Sequence, residues 1–365
     1  MKKNLLLALM LLISANIYAQ KQVATLNHNG EISVYYGDNS LRTAHDAAVA
    51  GDVITLSPGT FNACVITKPI TLRGAGCEDD SVTLKTEIQP YRFSYVSGSS
   101  TYYETTYLTL DIPEDSLYHF TMEGIYVGAS YSIGGYTYYQ CLNIDRAYNP
   151  QFIKCKVYEL SAQVYYVKSG NSRERVYSDN IFKNATFIDC HITRMLNQFN
   201  YGSVSLNFIN SYVGELPLSN VSSYNSYLKL GSSSLYNNLY AYNSIVQGYD
   251  YTSSLGIGST SLLQNCIAIR LGSNYVDLLK NMSPYNNTNM QVMSPSDIFE
   301  TEGFYVLKEE IANSFLGDDG TEVGIHGGLY PYNTKPNYMV IKNIDVADKA
   351  TSDGKLNLEI ELTTE

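Results

Sequence analysis

One short pattern recurs between Phe152 and Ala268: an apolar residue, a spacer, a corner residue, a small Cys or Ser, a second spacer and an aliphatic residue. Its copies read FIKCKV, FIDCHI, FINSYV, SYNSYL, AYNSIV and LQNCIA, and the corner is most often Asn. Asn tolerates left-handed backbone because its short amide can hydrogen-bond locally. Repeats of about 20 to 25 residues are typical of solenoids. The chain is therefore predicted to wind as an all-β, parallel β-helix, with Asn210, Asn225, Asn243 and Asn265 stacked on successive turns.

The N-terminus reads as a secretory signal peptide over residues 1–19. Two lysines follow Met1, an apolar run extends from Leu5 to Ile13, and a small residue, Ala19, stands at the expected cleavage site. This order of basic, apolar and small residues is typical of an export signal. The cleavage site has no Cys, so lipid anchoring is not expected. No later apolar run approaches the roughly 20 residues that span a bilayer. We expect a secreted, periplasmic or cell-surface protein with no membrane insertion.

The charge balance excludes one large class of partner. The chain has a formal net charge of -11, and only 16% of its residues are charged. An acidic surface repels phosphate backbones, so nucleic acid is not expected as a partner, and strongly anionic polysaccharides are disfavoured as well.

The six cysteines suggest disulfides in an exported chain. However, Cys155, Cys190 and Cys266 share the same inward position of the repeat. Cys190 and Cys266 would lie about four turns, or roughly 19 Å, apart, which is beyond disulfide reach. We therefore predict three small core residues, and the most favourable remaining bridge joins Cys64 to Cys77.

Both ends of the winding carry signals of other structure. Two alternating runs over 23–36 meet at His28-Asn29-Gly30, which predicts a hairpin. The run from Ser40 to Ala50 predicts a short helix that caps the open end of the winding. Strands at Met339–Val346 and Leu356–Leu362, with a turn at Asp353-Gly354, predict a C-terminal β extension. The expected domains are a β-helix with its cap over 20–332 and the extension over 333–365.

Two stretches resemble known proteins. The sequence GDVITLSPGTF from Gly51, followed by ITKPITLRGAG from Ile66, is similar to the first turns of pectin-lyase-like right-handed β-helix proteins, especially secreted ones of gut Bacteroidetes. The run DGTEVGIHGG from Asp319 extends this resemblance to the far end of the chain. The resemblance implies a right-handed parallel β-helix, but that superfamily mixes lyases, hydrolases, esterases and adhesins. The Asn-Thr-Asp, Asp-Asp and His-Gly set of polygalacturonase-like enzymes is not found in a coherent order, and the arginine-proline pattern of pectate lyases is missing.

One outward column carries the main candidate residues. It follows the small residue of each repeat and reads Lys156, His191, Tyr212, Tyr227, Ile245 and Ile267. A base, a phenol and a cation on successive turns could perform uronate elimination, or the tyrosines could bind sugar. The alternative is that Tyr and Ile simply suit a pleated surface. No cluster of Asp and Glu lies beside this column, so no cofactor is expected. A calcium ion at Asp318–Glu322 is the weaker alternative to a plain turn there.

A second column holds Glu159, Arg194 and Glu215. Its carboxylates would be about 9.6 Å apart, near the upper limit for inverting glycosidases. Because Arg194 lies between them, we favour a solvated ion-pair ladder.

A third column, just before the corner, contains large apolar residues. Its members are Ile153, Ile188, Ile209, Tyr224 and Tyr242. Either a loop or the C-terminal extension covers them, or they form an exposed patch for a partner. A purely structural rod that contacts another protein through this column is a further alternative.

The sequence favours a non-catalytic exported protein that binds a polysaccharide or a cell-surface glycan. The predicted binding residues are Tyr212, Tyr227, Tyr224 and Tyr242.

The alternative function is that of a polysaccharide lyase or glycoside hydrolase acting on a uronate-containing or other complex polysaccharide. Its catalytic candidates are His191, Tyr212, Lys156 and Arg194.

Overall fold

The computed structural model describes most of the chain between residues 22 and 364. The described ranges are 22–79, 84–97, 100–115, 117–128, 131–133, 136–138, 141–162, 164–169, 172–177, 181–196, 204–216, 220–231, 236–248, 257–269, 289–292, 294–300, 305–335, 339–346 and 358–364. The predicted signal peptide lies outside them.

The fold begins with the predicted hairpin. Strands β1 (Val23–His28) and β2 (Glu31–Tyr36) pair antiparallel, and β1 also pairs antiparallel with β3 (Val53–Leu56). Asn29 and Gly30 form the turn with φ of 51° and 92°, the left-handed backbone that two-residue hairpin turns require. The hairpin prediction is confirmed.

A short helix follows the hairpin, as predicted, but it is shorter than expected. Helix α1 spans Ser40–Ala47, and Ala48 already has extended backbone. Its buried residues Leu41 and Ala44 join the main apolar core. Asn39 holds the N-cap position without a side-chain cap bond. Its side-chain oxygen instead accepts a hydrogen bond from Asn62.

The chain then passes repeatedly through the same strand positions, so that each strand pairs in parallel with the equivalent strand one turn earlier and one turn later. Within the described ranges, twenty-four strands join in this sheet. The first position holds β3, β6 (Thr71–Arg73), β11 (Thr121–Glu123), β16 (Gln151–Ile153), β20 (Ile181–Ile188), β22 (Val204–Ile209), β24 (Val221–Tyr224), β26 (Leu239–Tyr242) and β28 (Leu262–Gln264).

The second position follows the corner on each turn. It holds β4 (Gly59–Asn62), β7 (Thr86–Gln89), β12 (Tyr126–Val127), β17 (Lys156–Ala162), β21 (His191–Met195), β23 (Tyr212–Leu216), β25 (Tyr227–Leu230), β27 (Ile245–Gln247), β29 (Ile267–Ile269) and β30 (Met290–Val292). The third position holds β5 (Val65–Ile66), β10 (Leu108–Asp111), β15 (Cys141–Tyr148) and the second half of β17.

Aromatic rings stack along the inside of the first position. The Phe187 ring lies 4.6 Å from that of Phe152 and 5.1 Å from that of Phe208, and both pairs are stacked. All three side chains are buried. Parallel in-register pairing places equivalent residues directly above one another, so the repeat builds a continuous apolar core.

The corners have the predicted conformation. Asn210, Asn225, Asn243 and Asn265 have φ between 45° and 51°, as the left-handed region requires. Lys154 and Asp189, with φ of 53°, occupy the same corner on the two preceding turns.

The Cys or Ser after each corner satisfies buried backbone groups. The Ser211 hydroxyl donates to the carbonyls of Phe187 and Ile209 and accepts from the amide of Cys190. The thiol of Cys190 donates to the carbonyls of Phe152 and Ile188 in the same way. Because a buried carbonyl or amide must be hydrogen-bonded, the repeat selects a small donor at this position.

The cysteine predictions have a mixed outcome. Cys155, Cys190 and Cys266 are buried free thiols, as predicted. The bridge between Cys64 and Cys77 is wrong, since both are also buried free thiols. The burial of Cys64 raises the pKa of its thiol to about 12, so it behaves as a small apolar core residue.

A second asparagine ladder was not predicted. Asn149, Asn184, Asn220 and Asn238 also have positive φ, at the start of the first strand position. The Asn184 amide donates to the Asn149 side chain at 3.0 Å, and that of Asn238 donates to Asn220 at 2.8 Å. These amides tie neighbouring turns together.

Three antiparallel hairpins leave the winding. They are β8 (Tyr91–Ser97) with β9 (Ser100–Thr106), β13 (Tyr131–Ile133) with β14 (Tyr136–Tyr138), and β18 (Val164–Ser169) with β19 (Ser172–Tyr177). Tyr and Thr are frequent in β8 and β9, and these residue types suit the pleated backbone of a strand.

The C-terminal β strands form close to their predicted bounds. Strands β31 (Met339–Val346) and β32 (Leu358–Thr364) pair antiparallel in a separate two-stranded sheet. The turn predicted at Asp353-Gly354 lies outside the described residues. Among the residues that the structure describes, no helix is long and apolar enough to cross a bilayer.

Candidate functional site

The main candidate column is in register, as the repeat predicted. Lys156 pairs with His191, His191 with Tyr212, and Tyr212 with Tyr227 on successive turns. Ile245 and Ile267 continue the column.

A later part of the chain covers this column. The covering segment consists of residues 294–300 and 305–335, and includes a 3-10 turn (Pro295–Asp297) and helix α2 (Glu309–Ser314). Phe299, Leu307, Val323 and Ile325 of this segment pack with Tyr227, Ile245 and Ile267 in a second apolar core. The column is therefore buried at Tyr227, Ile245 and Ile267, whereas Lys156, His191 and Tyr212 are half-buried.

The two tyrosines of the column belong to an aromatic cluster. Tyr227 is only 4% exposed. Tyr305 stacks on Tyr212 with ring centroids 4.4 Å apart and meets Tyr227 edge to face at 4.9 Å. Sugar binding by Tyr212 and Tyr227 stays a prediction; the structure places Tyr305 of the covering segment against both rings. Equivalent contacts are worth about 0.5–1.5 kcal/mol each.

His191 lies at the polar end of the covered column. Its ring centroid is 4.6 Å from that of Tyr212. Burial and the nearby Lys156 charge lower the pKa of His191 to about 4, although Glu78 acts in the opposite direction. The imidazole is therefore neutral at neutral pH and a weak base.

Lys156 and Glu78 complete the polar end. The Lys156 ammonium lies 2.9 Å from Glu78, whose second carboxylate oxygen accepts a hydrogen bond from Thr334 of the covering segment. Burial alone would raise the pKa of Glu78, but the hydrogen bond and the charge of Lys156 lower it overall. The cation of the column is thus paired with the exposed carboxylate of Glu78, and Thr334 joins this pair to the end of the covering segment.

Arg194 does not join this group. It lies at the next bend, where its guanidinium forms an ion pair with Glu159 and lies 5.8 Å from the centroid of the Tyr158 ring. Of the predicted ladder of Glu159, Arg194 and Glu215, the pair between Arg194 and Glu159 is confirmed. Glu159, however, is only 3% exposed, so the pair is not solvated as predicted. The structure brings together three of the four catalytic candidates, Lys156, His191 and Tyr212, and Tyr212 lies against Tyr305 of the covering segment.

The covering segment also explains the sequence DGTEVGIHGG. It lies directly on the asparagine corners: Asn243 donates to Asp318 at 2.6 Å, and Asn210 donates to the Gly327 carbonyl at 2.8 Å. A Cβ atom on Gly317 would stand 2.7 Å from the side-chain carbon of Asn243, so this approach requires glycine.

The end of the covering segment lies on the two charged corner residues. The Lys154 ammonium donates to the Lys335 carbonyl at 2.7 Å, and Asp189 accepts a backbone hydrogen bond from Asn333. One carboxylate oxygen of Asp189 is buried without a hydrogen-bond partner. Burial raises the pKa of Asp189 to about 6, against the opposing effects of Lys154 and Asn333.

The third column is the exposed one. Ile209 and Tyr224 are 37% and 38% exposed, and Ile153, Ile188 and Tyr242 are half-buried. These exposed fractions favour the alternative of an exposed patch at Ile209 and Tyr224. The covering segment packs on the other side of the corner and reaches this column at Tyr224, whose hydroxyl donates to Asp318. Tyr224 and Tyr242 stack with ring centroids 6.3 Å apart.

This column belongs to an uncharged surface that we call the neutral face. Strands β16, β20, β22, β24, β26 and β28 pair in order, and on each strand the residue two before the third column also points outward. The neutral face consists of Gln151, Ile153, Thr186, Ile188, Asn207, Ile209, Ser222, Tyr224, Tyr240, Tyr242, Leu262 and Gln264. At about 4.8 Å per strand it extends for about 24 Å. The second asparagine ladder adjoins it.

Sequence reasoning missed Tyr240, which is 41% exposed and lies on the same strand and side as Tyr242. The two-residue period of a strand would have identified it. Sequence reasoning also missed a buried polar group on the third strand position, where the Ser161 hydroxyl donates to Asn143 at 2.5 Å. The local sequence gave no signal for Ser161 and Asn143, since nothing near them indicates that an outward-facing side chain will be buried.

The Asp318–Glu322 turn satisfies its own carboxylates. Asp319 accepts from the amide and hydroxyl of Thr321, and Asp318 accepts from Asn243 and from the hydroxyl of Tyr224. Within the described ranges, no group of three or more His, Cys, Asp or Glu side chains is close enough to hold a metal ion.

Comparisons with protein-family models, with curated proteins and with solved structures found no match. The resemblance to pectin-lyase-like proteins therefore stays a prediction, and the functional argument depends on the chain's own geometry.

Proposed function

We propose that this protein is an exported, right-handed parallel β-helix, capped by α1, that binds a glycan on its neutral face without transforming it. The observation that carries the proposal is the stacked, partly exposed pair of Tyr224 and Tyr242. Aromatic faces take up the apolar faces of sugar rings, while neighbouring hydroxyls and amides hydrogen-bond the sugar hydroxyls. Asn207, Ser222 and Gln264 provide such groups beside the tyrosines.

The covered column supports the non-catalytic part of the proposal. A lyase needs a base and an acid that both reach the substrate. His191 has a lowered pKa and Tyr212 a raised one, in each case chiefly because of burial. Both rings are half-buried, and Tyr305 of the covering segment stacks on Tyr212, which limits the access of a polymer to that ring.

Binding to a panel of soluble polysaccharides tests the proposal. We would compare the unmodified protein with Tyr224→Ala/Tyr242→Ala by affinity electrophoresis and calorimetry. Loss of two ring contacts should weaken binding about tenfold or more. Tyr36→Ala is the matched control, because Tyr36 is 67% exposed on β2, many strands away.

Two outcomes would contradict the proposal. One is the absence of binding to any polysaccharide by a protein that unfolds cooperatively and is therefore folded. The other is the release of new reducing ends or unsaturated uronates, abolished by His191→Ala, which would favour the lyase or hydrolase alternative.

A further inference from the structure

Charge is distributed unevenly around the winding. The chain has a net charge of -11, yet the neutral face has no charged side chain over six consecutive strands. In the same column, charged residues are found on the two preceding turns, where Arg73 and Glu123 form an ion pair. A surface of phenols, amides, hydroxyls and aliphatic groups offers hydrogen bonds and apolar contact, but no cation for a carboxylate or sulfate.

The tyrosine rings also indicate a direction. Tyr224 and Tyr242 are direct strand partners on neighbouring turns, with 27° between their ring planes. Their row therefore runs across the strands, along the axis of the winding. Ile209 and Ile188 continue this row on one side and Gln264 on the other. An extended ligand that follows the row crosses one strand about every 4.8 Å.

One carboxylate stands at the edge of this row. The Tyr224 hydroxyl donates to Asp318 at 3.1 Å, and Asn243 both donates to the Asp318 carboxylate and accepts from its amide at 3.1 Å. Asp318 is exposed, but its position is fixed by these bonds and its negative charge is reinforced by the adjacent Asp319. A fixed carboxylate accepts hydrogen bonds from sugar hydroxyls and repels a second carboxylate.

We propose that the neutral face selects an uncharged polysaccharide chain lying across the strands, and that Asp318 excludes polyuronates and sulfated glycans from it. This inference rests on the proposed glycan-binding function and gives the class of its ligand. It also assigns Asp318 a role in specificity.

The experiment compares affinities for neutral and acidic chains of matched length. Neutral glucan, galactan, mannan and xylan oligosaccharides are titrated against the full-length mature protein, beside oligogalacturonates and alginate oligosaccharides. At low ionic strength we expect the best neutral chain to bind at least about tenfold more tightly than any acidic one, because like charges oppose binding. Salt near 1 M should narrow this ratio by screening.

Two variants separate the role of Asp318 from the net charge. Asp318→Asn should reduce the neutral-to-acidic affinity ratio at least about threefold. Asp319→Asn removes the same charge one residue away and should change the ratio less, because the Asp319 oxygens bond to Thr321. Unfolding curves for both variants show whether the covering segment stays in place.

The outcomes are distinguishable. Acidic chains that bind as tightly as neutral ones overturn this inference and leave the glycan-binding function intact, as do equal effects of the two variants. No binding to either kind of chain overturns the proposed function, and this inference falls with it.

Discussion

Replacing Asp189 by Asn should stabilise the protein at neutral pH. Asp189 occupies a corner with φ of 53°, where Asn210, Asn225 and Asn243 adopt nearly the same conformation on later turns. Its carboxylate is buried beneath Asn333, and one of its oxygens has no hydrogen-bond partner. Asn keeps an acceptor for the Asn333 amide and removes the cost of burying a charge.

The size of the effect follows from proton linkage. Burial raises the pKa of Asp189 from 3.8 to about 6. A carboxyl group whose pKa is raised by folding stabilises the fold fully at pH values below its unfolded-state pKa. This contribution is lost as the pH rises through about 6. Relative to a neutral side chain, the carboxyl therefore lowers the free energy of unfolding by about 3 kcal/mol at about pH 7.5, and by about 0.5 kcal/mol at about pH 4. We therefore expect Asp189→Asn to gain up to about 3 kcal/mol at the higher pH only.

Denaturant unfolding at the two pH values measures this directly. Asp319→Asn is the control with the opposite sign. Partial burial would raise the pKa of Asp319, but hydrogen bonds from Thr321 and Asn225 lower it overall. That variant should gain nothing at about pH 7.5. The reasoning is refuted if Asp189→Asn destabilises the protein at the higher pH, or if its gain is the same at both pH values.

Three further substitutions test the packing, each by denaturant unfolding. Ser226→Ala should lower the free energy of unfolding by about 1–3 kcal/mol, because the buried amide of Ser211 loses its acceptor. Ser226→Cys keeps a hydrogen-bonding group of the kind that Cys155, Cys190 and Cys266 provide on other turns. Equal losses for the two variants would contradict the hydrogen-bonding role of this position. Phe187→Ala should cost about 3–5 kcal/mol, since this fully buried ring is stacked on both sides, and a loss below 1 kcal/mol would count against the ring stack. Gly328→Ala should make the covering segment susceptible to proteolysis, because φ is 83° and a Cβ atom would collide with Asn225. Unchanged resistance to proteolysis would show that other contacts fix the segment in place.

The winding itself could be predicted because its signals are local. In each repeat the corner Asn adopts left-handed backbone, and the Cys or Ser that follows provides a buried hydrogen-bond donor. This six-residue pattern therefore aligns each turn with the next. The hairpin at Asn29-Gly30 is equally local.

The covering segment could not be predicted, because its contacts join distant parts of the chain. Asn210 and Gly327 are separated by 117 positions, and nothing near Tyr212 or Tyr227 indicates that Tyr305 and Phe299 will pack on them. The alternation of inward and outward side chains along a strand distinguishes core from surface. It does not show whether an outward side chain is open to solvent or covered by another segment. For the same reason the sequence did not reveal that Tyr212 and Tyr227 pack against Tyr305, and it left Tyr240 unnoticed.

Hydroxyl-radical footprinting of the tyrosines, with and without a bound neutral oligosaccharide, tests the central claim most directly. The account predicts that Tyr224 and Tyr240 react in the free protein and become protected by the ligand, whereas Tyr227 is unreactive in both states because it is buried. Strong labelling of Tyr227 in the free protein, or protection that leaves Tyr224 and Tyr240 unchanged, would contradict it.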